Sequence, residues 1–358
     1  MNVRNPAGGR SPAVEIEYGL AYEFLMSLSV FFEQKGYEYE LDREWFDTAR
    51  TKVTPDLLKD IQTFLSDCNH VWNHLVGLVY DSAPPRDVPA FLAHLRETEP
   101  LEVRLHLIGY YRRSTRRTTP LDVMLRAAEG DQEAQRQVLK TAFSDHDDHW
   151  QELLHRLFSI DPETTKASLL TILESWYERV FRDLEPQITP ILERDLEAKR
   201  ALKPTMSPER FIETATNGLE YVPEPGFRKV VLIPSYVQRP WNELCEYQDM
   251  KIFCYPVADE NIAEDSNMPP VRLVRLYKAL ADERRLRILK MLMTKSYSLQ
   301  ELADEFGVAK TTLHHHLATL RTAGLVRIQS NEHFYSLRQN TLSEVSELLN
   351  TYLKEKSQ

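Results

Sequence analysis

The chain has 358 residues, which suggests two or three domains with buried cores. Hydrophobic residues make up 42% and charged residues 27%, a composition that excludes a disordered or fibrous protein. The formal net charge is −10, and no apolar stretch approaches the roughly 20 residues of a membrane-spanning helix. No secretory-type apolar run follows the N-terminus, and the three cysteines form no C-x-x-C pair. We therefore expect a reduced, cytoplasmic chain with no membrane partner.

Residues 1–12 are predicted to be a disordered tail, and residues 13–257 a mostly helical domain. The alternation of apolar and acidic residues over 14–18 fits a short strand at its start. Beyond it, the spacing of apolar residues predicts a series of short amphipathic helices near 41–50, 55–66, 70–80, 87–97, 101–113, 131–143 and 148–158. A longer helix over about 162–203 is expected to kink or split at Pro186 and Pro190.

The pattern changes over residues 219–257. The segments KVVLI (229–233) and KIFCY (251–255) are rich in β-formers and have prolines nearby, which predicts two or three late strands. Residues 258–270 are acidic and end in two prolines, as is typical of a linker. The predicted fold is therefore mainly α, with a multi-helix N-terminal domain, a few late β-strands and a separate C-terminal domain over 271–358.

The negative charge is unevenly distributed along the chain. Residues 271–358 hold 14 Lys and Arg against 9 Asp and Glu, a net of +5, whereas the remaining 270 residues hold 30 against 45, a net of −15. Only the C-terminal quarter has the sign that suits a polyanion such as DNA. Because like charge repels phosphate, the N-terminal domain is not expected to wrap nucleic acid.

The C-terminal quarter predicts four helices and a hairpin. The first helix covers 271–281, and Asp282 is a suitable N-cap for the second, over 283–293. Leu286 and Met293 are among the apolar residues of the second helix that we expect to be mostly buried.

The third and fourth helices have the spacing of a helix-turn-helix. Ser298 and Glu301 form a capping-box pattern for the third helix, over 299–306. Gly307 then supplies a tight turn, and the fourth helix covers about 310–323. In such a motif the third helix braces the fourth, whose N-terminal half enters the major groove.

The fourth helix has two contrasting faces. Leu313, Leu317 and Leu320 recur at helical spacing, which predicts that they are buried. The polar residues that we predict to contact DNA are Lys310, Thr311, Thr312, His314 and His315. The alternative is an incidental solvated face, and for His316, beside the leucines, packing and DNA contact are equally plausible.

Residues 325–328 and 333–337 predict the two strands of a wing. Arg327 and His333 belong to this hairpin or flank it, and we predict that they reach a phosphate or the minor groove.

Three segments resemble the winged-helix domain of the ArsR family of bacterial and archaeal transcriptional regulators. They are ALADERRLRIL (279–289), LQELADEFGVAKTTLHHHLATLRTAGLV (299–326) and HFYSL (333–337). The stretch HHHLATLRTAGLV is the most specific, because paired histidines followed by L-x-x-L-R-x-A-G-L-V are characteristic of that family. The resemblance implies a winged helix-turn-helix domain that binds operator DNA as a two-fold dimer, usually as a repressor.

The resemblance also implies that the first and last helices of this domain, about 271–281 and 341–354, form the dimer interface. Its apolar residues would be Leu273, Leu276, Val345, Leu348, Leu349 and Tyr352. Ala309 departs from the family, which often has a capping Ser or Thr there. The third helix has no Cys, and 341–354 has no His, Cys or Asp, so we expect neither the metal of the metal-sensing members nor another cofactor.

Three other groups of residues have two interpretations each. Cys68, His70 and His74 are spaced like metal ligands, but ordinary helix residues explain them more simply. The run over 145–149 also looks like a ligand set, but a polar helix start explains it better. The basic cluster predicts a charge-matched helix end, with contact to DNA, an anionic ligand or the acidic surface of the chain as alternatives; it comprises Arg112, Arg113, Arg116 and Arg117.

The sequence thus predicts a cytoplasmic, sequence-specific DNA-binding regulator that represses transcription as a homodimer. The domain over 13–257 is expected to sense a small-molecule effector or to mediate association, and not to be an enzyme. Two rivals remain: an enzyme in that domain that the winged helix targets, and a winged helix that contacts protein instead of DNA. A deep polar pocket with converging acidic and His residues would favour the first, and an acidic or apolar recognition face the second.

Overall fold

The computed structural model describes residues 12–32, 39–65, 71–142, 148–262, 269–329 and 334–354. Of the predicted tail only Pro12 lies within these ranges, and residues 263–268 of the predicted linker lie outside them. The described chain is mainly helical with a few strands, as predicted, and these strands form two four-stranded sheets.

Helices dominate the chain up to residue 215. They are α1 (Leu20–Phe32), α2 (Arg43–Lys52), α3 (Pro55–Leu65), α4 (Val71–His74), α5 (Val76–Asp81), α6 (Val88–Glu97), α7 (Pro100–Leu107), α8 (Arg113–Thr118), α9 (Leu121–Glu129), α10 (Gln132–Ala142), α11 (Asp148–Ser159), α12 (Pro162–Trp176), α13 (Glu185–Leu202) and α14 (Pro208–Ala215). The helix predicted over 70–80 is two short helices, and α8 and α9 lie where no amphipathic helix was predicted.

Three of these helices begin in the same way. A polar N-cap accepts a hydrogen bond from a backbone N–H of the first turn, and a proline follows within that turn. The N-caps are Asp87 for α6, Asp161 for α12 and Ser207 for α14. The cap satisfies one of the free N–H groups of the helix start, and the proline has no N–H to satisfy, so both residues fix where the helix begins.

Helix α1 is the centre of the N-terminal core. Its sequence, LAYEFLMSLSVFF, is mostly apolar, and every residue from Ala21 to Val30 is buried, including Glu23, Ser27 and Ser29. Trp176 donates a hydrogen bond to the Ser27 hydroxyl at 2.9 Å, and the rings of Phe24 and Phe181 meet edge to face. A helix with no solvent-exposed face over this stretch must be surrounded by other elements.

The long helix predicted over 162–203 is split. Helix α12 ends at Trp176, and a π-helical turn, Tyr177–Phe181, follows it before α13 begins at Glu185. Pro186 lies in the first turn of α13, where a missing N–H costs little, and Pro190 lies inside this helix. The split therefore precedes both prolines.

The late strands form most of one sheet. Strands β1 (Ala13–Ile16), β3 (Lys229–Ser235), β4 (Glu243–Tyr247) and β5 (Met250–Pro256) are arranged in the order β1-β3-β5-β4. Strands β4 and β5 pair antiparallel, with Tyr247 opposite Met250, so they form a hairpin with a two-residue loop. The two strongest predicted strands, within β3 and β5, are observed, and the hairpin adds β4.

The described chain divides into two compact units. The N-terminal unit contains Glu15–Glu193 and Lys229–Cys254. The C-terminal unit contains the described residues of Met1–Val14, Arg194–Arg228 and Tyr255–Gln358. The division does not follow the predicted domain boundary at residue 257, because residues 194–228 group with the C-terminal helices. The functional domain boundary at residue 257 stays a prediction.

A buried carboxylate organises part of the C-terminal unit. Asp195, on α13, is fully buried and accepts hydrogen bonds from the Tyr255 hydroxyl, the Ala258 backbone N–H and the Asn261 amide, each at 2.8 Å. Lys199 pairs with the same carboxylate at 3.3 Å. Such a network is costly to disrupt, so the first residues of the predicted linker are held firmly by α13.

The C-terminal unit contains the predicted helices and a second sheet. Its elements beyond α14 are β2 (Leu219–Glu220), α15 (Val271–Leu280), α16 (Glu283–Leu292), β6 (Tyr297–Ser298), α17 (Leu299–Phe306), α18 (Lys310–Thr322), β7 (Val326–Gln329), β8 (Phe334–Leu337) and α19 (Gln339–Lys354). The sheet order is β2-β7-β8-β6. Strands β7 and β8 form an antiparallel pair, which we call the wing.

We predict that Glu23→Gln makes the stability of the N-terminal unit less dependent on pH. Glu23 is buried, and burial raises its pKa to about 7 although the N–H groups of Tyr236 and Val237 donate hydrogen bonds to its Oε2. The unfolded chain releases this proton near 4.5. The stabilisation is therefore complete below pH 4.5 and is lost as the pH rises to about 7, which corresponds to about 3 kcal/mol of unfolding free energy.

Tryptophan fluorescence during urea denaturation at several pH values measures this effect, because all five tryptophans lie in the N-terminal unit. Glu129→Gln, at an exposed carboxylate, is the matched control and should keep the wild-type pH dependence. An equal pH slope in wild type and Glu23→Gln would show that the buried carboxyl does not set it.

Candidate nucleic-acid interface

Helix α17 begins and ends at the predicted residues. The Ser298 hydroxyl accepts from the Glu301 N–H at 3.2 Å, and the Glu301 carboxylate accepts from the Ser298 N–H at 2.7 Å. This bond from the Ser298 backbone lowers the pKa of Glu301. Gly307 ends the helix with φ +61°, a conformation that favours glycine. The capping box and the glycine turn therefore set the distance between α17 and α18.

Helix α18 has the two faces that its sequence predicts. Leu313, Leu317 and Leu320 are each at most 1% exposed and lie in the core of the C-terminal helices and wing. The predicted DNA contacts of this helix are all exposed: Lys310, Thr311, Thr312, His314 and His315. Four of them belong to its first five residues and the fifth follows directly, so they form one polar surface, which we call the recognition face.

The histidines of α18 differ in their surroundings. Partial burial, with smaller contributions from Arg321 and His315, lowers the pKa of His314. A neutral imidazole offers one donor and one acceptor, which suits the mixed edges of base pairs. His316 is 12% exposed in its side chain, and its Nδ1 lies 3.9 Å from Asp282 Oδ1. Burial also lowers the pKa of His316. Its low exposure places His316 nearer the core than the exposed His314 and His315.

The first turn of α18 lacks a side-chain cap. Ala309 occupies the N-cap position with extended backbone angles, φ −63° and ψ 145°, and makes no side-chain hydrogen bond. In contrast, Asp282 caps α16 by accepting from the Arg285 N–H at 2.9 Å. The first N–H groups of α18 therefore have no side-chain acceptor at the N-cap, because the methyl group of Ala309 cannot accept a hydrogen bond.

The wing carries one of the two predicted contacts. His333 lies outside the described residues, which stop at Gln329 and resume at Phe334. Arg327 lies on β7, where its Nε donates to the Ser336 hydroxyl at 2.8 Å. Its guanidinium also lies 3.8 Å from a carboxylate oxygen of Glu213 and 3.8 Å from one of Glu220. Arg327 is therefore already engaged by residues of α14 and β2.

The contact of β2 with the wing was not predicted from the sequence. Leu219 and Glu220 pair in parallel with Ile328 and Gln329, so a strand from the middle of the chain covers the outer edge of β7. The turn that precedes β2 contains Asn217-Gly218, an N-G pair that indicates a turn but not the partner of the strand that follows.

Side-chain bonds strengthen this junction. Arg338, which follows β8, donates to the Asn217 side chain at 2.9 Å and lies 3.7 Å from Glu213. A Cβ at position 324 would lie 2.8 Å from the Asn217 amide oxygen, and Gly324 has φ +71°. Position 324 therefore requires glycine for both its backbone conformation and the space that Asn217 fills.

The predicted dimer residues fall into two groups. Leu276 and Val345 belong to the core of the C-terminal helices, Leu348 packs against it, and Leu273 is buried. Leu349 and Tyr352 are half-buried and lie outside that core cluster. Leu348, Leu349 and Tyr352 therefore keep side-chain surface for a second copy of the chain, whereas Leu273, Leu276 and Val345 do not.

Two residues expected in the core are exposed. Leu286 is 50% exposed and Met293 is 56% exposed, so the prediction of their burial was wrong. They lie seven residues apart on α16 and its C-cap, on the side away from Ile288, Leu289 and Leu292. Apolar spacing does not identify which flank of a helix its neighbours cover.

The remaining sequence candidates are dispersed. Cys68, His70 and residues 143–147 lie outside the described residues. His74 is buried and hydrogen-bonds Leu107 and Arg112 through its two ring nitrogens. Arg116 donates to the Tyr110 carbonyl at 3.0 Å and stacks over the Tyr110 ring.

Among the described helices, none combines the length and apolar character needed to cross a bilayer.

The arrangement of α16, α17 and α18, with a polar recognition face on the last and a hairpin behind it, defines a helix-turn-helix DNA-binding regulator. Residues 282–327 match the model of the family described as bacterial regulatory protein, arsR family. The chain is 40% identical over 80 residues to the transcriptional activator HlyU of Vibrio cholerae, a stretch that covers 22% of this chain and 74% of HlyU. The chain therefore belongs to the arsR family, as its sequence motifs predict.

A second relative supports this assignment. The uncharacterized HTH-type transcriptional regulator YceK of Bacillus subtilis is 39% identical over 71 residues, which cover 19% of this chain and 71% of YceK. No solved structure is significantly similar to the chain.

We predict that Ala309→Ser stabilises the start of α18 by about 1 kcal/mol, because the serine hydroxyl can accept from a first-turn N–H such as that of Thr312. Amide hydrogen exchange should show slower exchange at that position. Ser298→Ala is the opposite control, since it removes an existing cap and should accelerate exchange at Glu301 by a similar free energy. Unchanged exchange at the start of α18 would mean that packing alone holds it.

Proposed function

We propose that this regulator binds operator DNA in the major groove through the recognition face of α18. The observation that carries the proposal is the exposure of Lys310, Thr311, Thr312, His314 and His315 at the start of a helix that buries three leucines. Lys310 can donate to guanine acceptors, the threonines can bond bases or phosphates, and the imidazoles can donate or accept. The face is polar and neither acidic nor apolar, which favours DNA over a protein partner.

Arg327 and His333 complete the proposed interface from the wing. The two carboxylates beside Arg327 compete with phosphate for its guanidinium, so its contribution depends on displacing them. We therefore assign base recognition to α18 and a secondary phosphate contact to the wing.

The regulator is proposed to act as a homodimer through α15 and α19. Arg272 on α15 pairs with Glu344 on α19 at 2.6 Å, so these two helices pack together within one chain. The two helices also carry exposed apolar side chains: Val271, Tyr277 and Leu353, which is 69% exposed. With Leu349 and Tyr352 they supply the self-complementary apolar surface that a two-fold interface needs.

The proposed location is the cytoplasm, where operator DNA is accessible, and the proposed direction is repression. HlyU is named a transcriptional activator, so the direction needs its own measurement. Residues 13–257 are proposed to sense a small-molecule effector or to mediate association, because DNA binding alone does not require so large an acidic region. We propose no catalytic role for them; the matched relatives cover only 22% and 19% of the chain and do not extend over this region.

We predict that Lys310→Ala combined with His315→Ala weakens specific operator binding by about 1–3 kcal/mol for each lost base contact. Fluorescence anisotropy with genomic fragments, first the promoter of the protein's own gene, measures this. The matched control is Lys140→Ala with His155→Ala, which removes the same side chains from exposed positions of the N-terminal unit. Wild-type binding should weaken steeply with added salt, because phosphate neutralisation releases counterions.

Undiminished binding by the Lys310/His315 variant would remove the assignment of α18. A promoter fusion in cells with and without the protein reads the direction: repression predicts higher reporter expression when the protein is absent, and lower expression would reverse the proposal.

We predict that Tyr352→Glu with Leu353→Glu shifts the dimer toward monomer by about 2 kcal/mol or more, since charges would replace apolar contacts at the proposed interface. Sedimentation velocity across a concentration series measures the dissociation constant. Leu125→Glu, at an exposed leucine of α9, is the control and should leave self-association unchanged. A wild-type chain that sediments as a monomer at all concentrations would refute the proposed dimer.

A further inference from the structure

A cavity of about 380 Å³ lies within the N-terminal unit. It is bounded by α4, by the segment from Ile108 to Thr119, by α10 and α11 and by β4. Cavities of this volume hold small metabolites. One part of its wall carries five hydroxyl groups, those of Ser114, Thr115, Thr118, Thr119 and Thr141.

A fixed guanidinium lies in the same wall. His74 Nδ1 is 2.9 Å from the Leu107 carbonyl, which only accepts, so Nδ1 carries the proton and Nε2 is an acceptor. Arg112 Nη1 donates to that Nε2 at 2.6 Å. Both ring nitrogens of His74 are thus occupied, and this residue positions Arg112 instead of serving as a catalytic base.

Arg112 keeps donors for a ligand. Within the described ranges, no carboxylate lies within 4.0 Å of the Arg112 guanidinium. The guanidinium has five N–H groups, and the bond to His74 uses only one of them. An arginine that lines a cavity without an acidic partner is suited to bind a carboxylate, because its planar N–H groups match the two oxygens. The hydroxyls of Ser114 and Thr115 can donate to the same anion, whereas those of Thr118, Thr119 and Thr141 already donate within the wall.

Other residues of the wall offer acceptors. Asn73 Nδ2 donates to Glu243 Oε1 at 2.5 Å, which fixes the orientation of the amide. Its Oδ1 is buried and accepts no hydrogen bond from any described residue. Glu246 accepts from the Ser114 N–H at 2.8 Å and adds a second carboxylate. An orphaned amide oxygen beside carboxylates requires a donor, and an ammonium group supplies up to three.

The rest of the lining is apolar. Trp150 meets His74 edge to face with ring centroids 5.0 Å apart, and Ile108, Val138 and Leu154 also border the cavity. We infer that the cavity binds a small zwitterion of the amino-acid class, with its carboxylate on Arg112, its ammonium at Asn73 and Glu243, and its side chain against the apolar wall. Only the description of this ligand as an effector rests on the proposed function.

The test uses the full chain without DNA. Differential scanning fluorimetry with each common L-amino acid at millimolar concentration should find at least one that raises the melting temperature, and calorimetry then gives its affinity. The deaminated and decarboxylated analogues of that amino acid should each bind at least about tenfold more weakly, because each lacks a charge-assisted hydrogen bond.

Two variants locate the site. Arg112→Gln, which keeps an N–H for His74, and Glu243→Gln should each weaken binding at least about tenfold. Arg136→Gln, at an exposed arginine of α10, should bind as wild type does. The inference is overturned when no amino acid raises the melting temperature, when either analogue binds as well as its parent, or when Arg112→Gln retains full affinity.

The analogue comparison uses wild-type protein, so it decides the question even if a variant does not fold. Operator binding is measured separately by anisotropy. A chain that binds DNA and no amino acid contradicts this inference alone, and a chain that binds an amino acid and no DNA contradicts the proposed function alone.

Discussion

The position of the recognition helix depends on the burial of Leu313, Leu317 and Leu320. Each fully buried leucine contributes about 1.5–3 kcal/mol, whereas Ala309 contributes no cap to the start of the helix. Because the three leucines occupy one side of α18, the polar residues between them are directed to the other. The same burial that folds the C-terminal helices therefore creates the surface that we assign to DNA.

The features that the sequence predicted well depend on residues close together in the chain. The capping box of Ser298 and Glu301, the turn at Gly307 and the leucine spacing of α18 each involve a few neighbouring positions, and all are observed. The features that it missed depend on distant residues. The pairing of Leu219 with Ile328 joins segments more than a hundred positions apart, and no local pattern encodes it.

The cavity shows the same limit. The sequence marked His74 as a weak metal candidate and Arg112 as part of a basic cluster with an anionic ligand as one alternative. Their hydrogen bond, and the juxtaposition of Asn73 with Glu243, arise only when α4, the loop after α7 and β4 come together. The residue types therefore indicated which polar groups could bind a ligand, but only the tertiary fold shows which of these groups line the same cavity.

The pairing of β2 with β7 sets a lower limit on the length of a fragment that could contain the complete DNA-binding unit. A fragment beginning at Val271, where the predicted C-terminal domain starts, would lack Leu219 and Glu220 and so would expose the backbone N–H and C=O groups of one edge of β7. It would also leave Arg327 and Arg338 without the Glu213 carboxylate. A bare strand edge recruits other strands, so such a fragment would be prone to aggregate. Grafting this DNA-binding module onto another sensor would require residues 207–228 to travel with it.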